Sequence, residues 1–160
     1  MRILIAGIGN MFLADDGFGV ELAQRLATHE FPDSVTVADY GISGMHLAYD
    51  LMTGYDSTIL LDATARGDEP GTVTVVELDA GHPFSGGQSA VDAHGMQPDA
   101  VVELLTLLGG EPGRMILVGC EPAELTDRIG LSAPVTAALD GALRAVIDLV
   151  DHELTVREGV

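Results

Sequence analysis

Short aliphatic or β-branched runs alternate along this chain with segments whose apolar residues recur every three or four positions, and that alternation predicts an α/β fold. The first run begins at Arg2, reads as a buried strand over residues 1–6, and empties into the glycine-rich turn Gly7-Ile8-Gly9-Asn10. A helix is expected over residues 17–29, with Val20, Leu22, Ala23, Leu26 and Ala27 on the side that packs on a sheet. Residues 34–39 (SVTVAD) alternate as a second strand. Gly41 and Gly44 open a short helix to Thr53, with Met45, Ala48, Leu51 and Met52 inward and Gly54 closing it. Residues 57–62 (STILLD) are apolar on both faces, as a central strand must be.

The second half follows the same grammar. Only nine residues, 63–71, precede the next run, TVTVVEL at 72–78, too few for a crossover helix, so this strand is expected to run antiparallel at an edge. Residues 79–97 are long and aperiodic, the mark of a functional loop, and hold His82 and His94. Pro98 suits a first helical turn, Asp99 suits the positive end of the dipole, and Val101, Leu104, Leu105 and Leu108 form the apolar stripe that Gly109-Gly110 ends. Residues 114–119 (RMILVG) make a fifth strand ending at Cys120, and Ser132-Ala133-Pro134 starts a long last helix burying Val135, Ala138, Leu139, Ala142, Val146 and Leu149. The fold expected is one three-layer α/β sandwich over residues 1–160. Its twisted sheet of about five strands is mostly parallel, with one antiparallel edge strand and helices on both faces.

Charge narrows the function. Against 25 Asp and Glu stand only seven Arg and no Lys, a formal net charge of −18. Such a surface repels phosphate backbones and anionic lipid, so neither nucleic acid nor membrane is an expected partner, while a protein with a basic docking face would suit it. The apolar start is broken by Gly7, Gly9 and Asn10, which does not describe a signal peptide, and no run is long enough to span a bilayer. The single cysteine, Cys120, cannot form an internal disulfide, and a reducing cytoplasmic setting is expected.

Each of the first three strand–helix units delivers an Asp near the carboxyl end of its strand: Asp15 and Asp16, Asp39, and Asp62. Open α/β sheets keep their ligand sites there. Gly7-Ile8-Gly9 suggests a dinucleotide turn with Asp39 as the ribose acid, but Phe12 stands where the third glycine belongs, and a pyrophosphate would meet Asp15 and Asp16. Neighbouring side chains diverge by about 100° on a helix, so the two are assigned different tasks: Asp15 to helix capping, Asp16 to the crevice. Asp62 ends an apolar strand run, where a carboxylate is costly unless it is paired, hydrogen-bonded or bound to a cation.

His94 precedes the helix at 98 and is placed to swing over the strand ends, with His82 as its rival; His29, His46 and His152 read as solvated. Two carboxylates and one imidazole with positions left open suit a divalent ion such as Ni²⁺ or Zn²⁺ rather than Ca²⁺ or Mg²⁺. Cys120 could act as a thiol nucleophile, but a small apolar role at a strand end fits it better.

Taken in order, G-I-G-N-x-x-x-x-D-D-G-x-G at Gly7 to Gly19, Asp39-x-Gly41, Leu61-Asp62-Ala63, Ala93-His94-Gly95, Gly119-x-Glu121-Pro122 and Leu131-Ser132 resemble the hydrogenase maturation endopeptidases. The resemblance runs over nearly the whole chain. It implies a twisted sheet between helices and a metal site, also the catalytic site, formed by Asp16, Asp62 and His94. It implies an endopeptidase that trims the carboxyl-terminal extension from the large-subunit precursor of a [NiFe] hydrogenase, with nickel supplied by that precursor. At the first ligand, members carry Glu or Asp; here it is the shorter Asp16. A non-catalytic metal-binding maturation chaperone using the same crevice, and a nucleotide-binding domain, are the other readings. A small enzyme acting on a large partner is expected to work as a monomer.

Overall fold

A computed structural model gives the fold of residues 1–78 and 98–158. A five-stranded sheet is built from β1 (Ile3–Ile8), β2 (Val35–Gly41), β3 (Ser57–Ala63), β4 (Val73–Leu78) and β5 (Arg114–Cys120). Their spatial order is β2-β1-β3-β5-β4. Every pairing is parallel except that of β4 with β5, so β4 is the antiparallel edge strand its short approach demanded. The helices are α1 (Phe18–Leu26), α2 (Gly44–Leu51), α3 (Pro98–Leu107) and α4 (Ala133–Glu158).

Period-two alternation sorts the sheet's side chains onto two cores. Ile3, Ile5, Ile59, Leu61, Val118 and Cys120 pack with Phe18, Leu22 and Leu26 of α1 and with Val135, Leu139, Ala142, Val146 and Val150 of α4. Leu4, Ala6, Ile8, Leu60, Met115 and Leu117 face the other way, onto Leu47 and Leu51 of α2 and Val101 and Leu105 of α3. Burying a side chain such as Phe18 completely is worth about 1.5–3 kcal/mol. Both faces of β1, β3 and β5 are covered, and the carboxyl ends of these strands form the edge where open α/β sheets place their ligand sites.

Local readings are corrected in three places. β1 continues through Gly7 to Ile8, because both residues still pair with β2 across a register shift, so the glycine turn begins two residues later than expected. Met45 and Met52 are not inward: they are 47% and 41% exposed, and Leu47 takes the buried position. On α4 Leu149 packs partly buried against the core beside the fully buried Val150, whereas Ala27 past α1 is exposed rather than inward. In the helices an apolar residue could stand on either side of a boundary or stripe, and only packing chose. Residues 79–97, with the expected functional loop, lie outside the described residues.

At the amino ends of the strands, away from the crevice, Glu153 of α4 is buried but satisfied: it accepts the Ser57 hydroxyl at 2.7 Å and pairs with Arg114 at 3.0 Å. This ties α4 to β3 and β5 and obeys the rule that a buried carboxylate is hydrogen-bonded or paired.

Candidate active site

Asp16 and Asp62 are brought together by two close approaches of backbone. At Gly9 φ is +136°, and a Cβ there would stand 2.0 Å from the carbonyl oxygen of Asp16. Only glycine lets the connection after β1 fold back on the single 3-10 turn, Ala14–Gly17, that carries the acids. At Gly19 a Cβ would stand 2.0 Å from the Leu61 carbonyl and 2.5 Å from that of Ile8. The start of α1 therefore lies directly on the end of β3, one residue short of Asp62.

The side chains then differ in surroundings. Asp16 is half-buried, and its Oδ2 accepts the Asn10 N–H at 2.7 Å. Asp62 is 7% exposed. Burial, and after it the charge of Asp16, push the Asp62 carboxyl well above the usual carboxylate range, while the Ala63 N–H draws it partly back. Two carboxylates near enough to repel, one of them largely out of water, form a donor set whose natural complement is a cation. Among the described residues no third His, Cys, Asp or Glu joins such a group. His94, the expected third ligand, and its rival His82 lie outside the described residues.

Asp15 does not cap its own helix. Neither the 3-10 turn nor α1 has a side-chain N-cap bond. Instead Asp15 is fully buried and accepts four hydrogen bonds from across the chain: from the N–H groups of Ala123, Glu124 and Ser132 at 2.7, 2.9 and 2.7 Å and from the Ser132 hydroxyl at 2.8 Å. Burial pushes this carboxyl up, but the four bonds outweigh it and leave the group below its ordinary range. Divergence of neighbouring side chains, read from the sequence, did assign the two acids different jobs; the partner of Asp15 lies over a hundred positions away and had no local signal.

Glu121 and Ser132 are supports that sequence reasoning did not identify as such, although both lie in the motif pieces Gly119-x-Glu121-Pro122 and Leu131-Ser132. The Glu121 Oε1 accepts the N–H groups of Arg66 and Asp68 at 2.7 and 3.1 Å and so shapes the turn that leaves β3 just beyond Asp62. Asp39 is exposed and folds back to accept the Gly41 N–H at 2.9 Å, and the Gly41 carbonyl accepts the Gly9 N–H at 2.8 Å.

A phosphate reading of the glycine turn has no support in this geometry, because Asp16 already takes the Asn10 N–H that a pyrophosphate would need. Cys120 is 1% exposed. Burial first, then the charges of Asp15 and Glu121, push its thiol up to about 12, the opposite of an activated nucleophile. His29, His46 and His152 are exposed, as expected.

With this geometry in view, similarity to other proteins is informative. Residues 20–149 match a family model described as hydrogenase maturation protease. A hydrogenase expression/formation protein HupD of Rhizobium leguminosarum bv. viciae is 36% identical over 148 residues, covering 92% of this chain and 71% of its own. A putative hydrogenase maturation protease of Methanocaldococcus jannaschii is 34% identical, over 91% of this chain and 94% of its own. The solved structure of the hydrogenase maturating endopeptidase HybD from E. coli superimposes with a TM-score of 0.82 at 29% identity, covering 96% of this chain and 94% of that one. A family-model match over residues 20–149, together with relatives more than 30% identical over nine-tenths of this chain, makes the chain a member of the hydrogenase maturation protease family, and so a peptidase.

Proposed function

We propose that this protein is the endopeptidase that removes the C-terminal extension of a nickel-loaded [NiFe] hydrogenase large-subunit precursor, with Asp16, Asp62 and His94 gripping the precursor's nickel. The observation that carries this reading is the buried Asp62 held beside Asp16 at the carboxyl ends of the central strands. Two carboxylates that repel each other gain most from a ligand that brings positive charge between them, so a metal-loaded precursor binds better than a metal-free one. Nickel here is part of the substrate, and its occupancy becomes a term in binding.

Once the precursor is seated, proximity does the remaining work: the scissile peptide is held against the crevice, water adds across it, the C–N bond breaks and the leaving amine is protonated. Asn10 and the Gly9 turn fix Asp16, and Glu121 fixes the turn after Asp62, so both acids are pre-positioned before the substrate arrives. A monomer in the cytoplasm is the form in which we expect this to occur. No helix of the described residues is long and apolar enough to cross a membrane.

The test is to incubate the protein with large-subunit precursor carrying or lacking nickel and to weigh the products. Loss of a C-terminal peptide from the nickel-loaded form alone is the expected result. A stable, uncut complex would favour the chaperone reading, and equal cleavage of both forms would remove the nickel-recognition step.

A further inference from the structure

The 3-10 turn that presents Asp16 to the crevice has a second side. Ala14 and Gly17, which bracket the acid pair, also line a cavity of about 190 Å³ between α1 and the start of α4. Its walls are Met11, Val20, Ile129 and Leu131, with Leu139 beneath. Drug-sized ligands occupy roughly 300–1,000 Å³; this space is better matched to a single side chain of a macromolecule.

Two features of the wall point outward. Met11 is 45% and Ile129 66% exposed, so the mouth of the cavity presents apolar surface to water. Neither is on a loose loop: Arg128 donates its N–H to the Phe12 carbonyl at 3.0 Å, and Leu13 and Arg128 form a β-bridge, so the segments bearing Met11 and Ile129 are stapled together. A rigid apolar patch held open to water costs little to bury when a partner arrives. The rim is acidic on balance, since Arg25 is shared between Glu21 at 3.5 Å and Asp140 at 3.9 Å.

We infer that this cavity receives an apolar side chain of the precursor, flanked there by a basic residue, and so anchors the substrate on the far side of the turn that holds Asp16. The inference rests on the protease reading and adds an affinity site to it. Charge complementarity selects the occupant: a chain of net charge −18 with an acidic rim around an apolar hole favours a cationic partner over a second copy of itself.

The experiment is steady-state cleavage of nickel-loaded large-subunit precursor by the wild-type protein, Ile129→Asp and the control Val156→Asp, an exposed apolar position on the last turns of α4. Thermal unfolding and oligomeric state are measured alongside. A charge in the cavity mouth is expected to raise KM about tenfold with kcat within about twofold, and Val156→Asp to leave both unchanged. If the wild type cleaves and Ile129→Asp has an unchanged KM, the anchor is overturned while the protease reading stands. A KM raised equally by Val156→Asp overturns it as a general charge effect. An unchanged KM with a dimeric wild type made monomeric by Ile129→Asp assigns the cavity to a second copy. An unchanged KM with a Tm several degrees lower assigns it to a segment of this chain. A wild type that does not cut the precursor removes the protease reading, and the anchor with it.

Discussion

Asp15 grips Ser132 at two points, taking the backbone N–H at 2.7 Å and the hydroxyl at 2.8 Å, and this joins the turn before α1 to the entry of α4. Asp15→Ala would strand these donors and those of Ala123 and Glu124 in a buried spot, at an expected cost of about 2–4 kcal/mol. Because the folded carboxyl sits below its ordinary value of 3.8, its contribution is fully present above that pH and fades as pH falls through the folded value. Urea unfolding of the wild type and Asp15→Ala at pH 7 and pH 3 checks this: the gap between them should narrow in acid, and a constant gap would contradict it.

Asp62→Asn should abolish processing and, in the metal-free protein, raise Tm. The carboxyl is held above its ordinary value, so the folded chain keeps a proton that the unfolded chain releases. Stability falls as pH rises through that window, and the amide escapes the loss. Scanning both proteins at pH 4 and pH 7 should show the larger difference at pH 7. Equal Tm values at both would remove the charge conflict from the account.

Asp16→Asn and His94→Ala should each abolish processing while leaving the far-ultraviolet circular dichroism unchanged. The Asn10 N–H can still be accepted by an amide oxygen at position 16, so loss of activity there would report loss of charge rather than of fold. Full activity in either variant would discard that residue from the site.

Cys120→Ala should process precursor within about twofold of wild type, at a stability cost of about 1 kcal/mol for the small apolar volume removed. The thiol is buried and held protonated. Inactivation by this single change, with the fold retained, would restore the thiol as a reacting group.

Gly19→Ala should be more damaging than most substitutions around Asp16 and Asp62. A methyl group 2.0 Å from the Leu61 carbonyl must push α1 off β3, separating Asp16 from Asp62. A Tm lower by several degrees together with lost processing is expected; a stable, active variant would mean that the contact between α1 and β3 does not set the site.

Period and turn chemistry alone fix the architecture here. Central strands such as 57–62 must be apolar on both faces, nine residues cannot hold a crossover helix before Val73, and a carboxylate at the end of Leu61 has to be given a reason. Those are local constraints, and the sheet order with its antiparallel edge obeys them. What locality cannot carry is who meets whom across the fold. Only the close packing of Gly9 on Asp16 and of Gly19 on Leu61 brings Asp16 near Asp62, and only the approach of residues 123–132 to the turn before α1 turns Asp15 from an expected helix cap into a buried brace. Met45 and Met52 make the same point in reverse: an apolar side chain states what it would prefer, and the neighbours available in three dimensions decide whether it is buried.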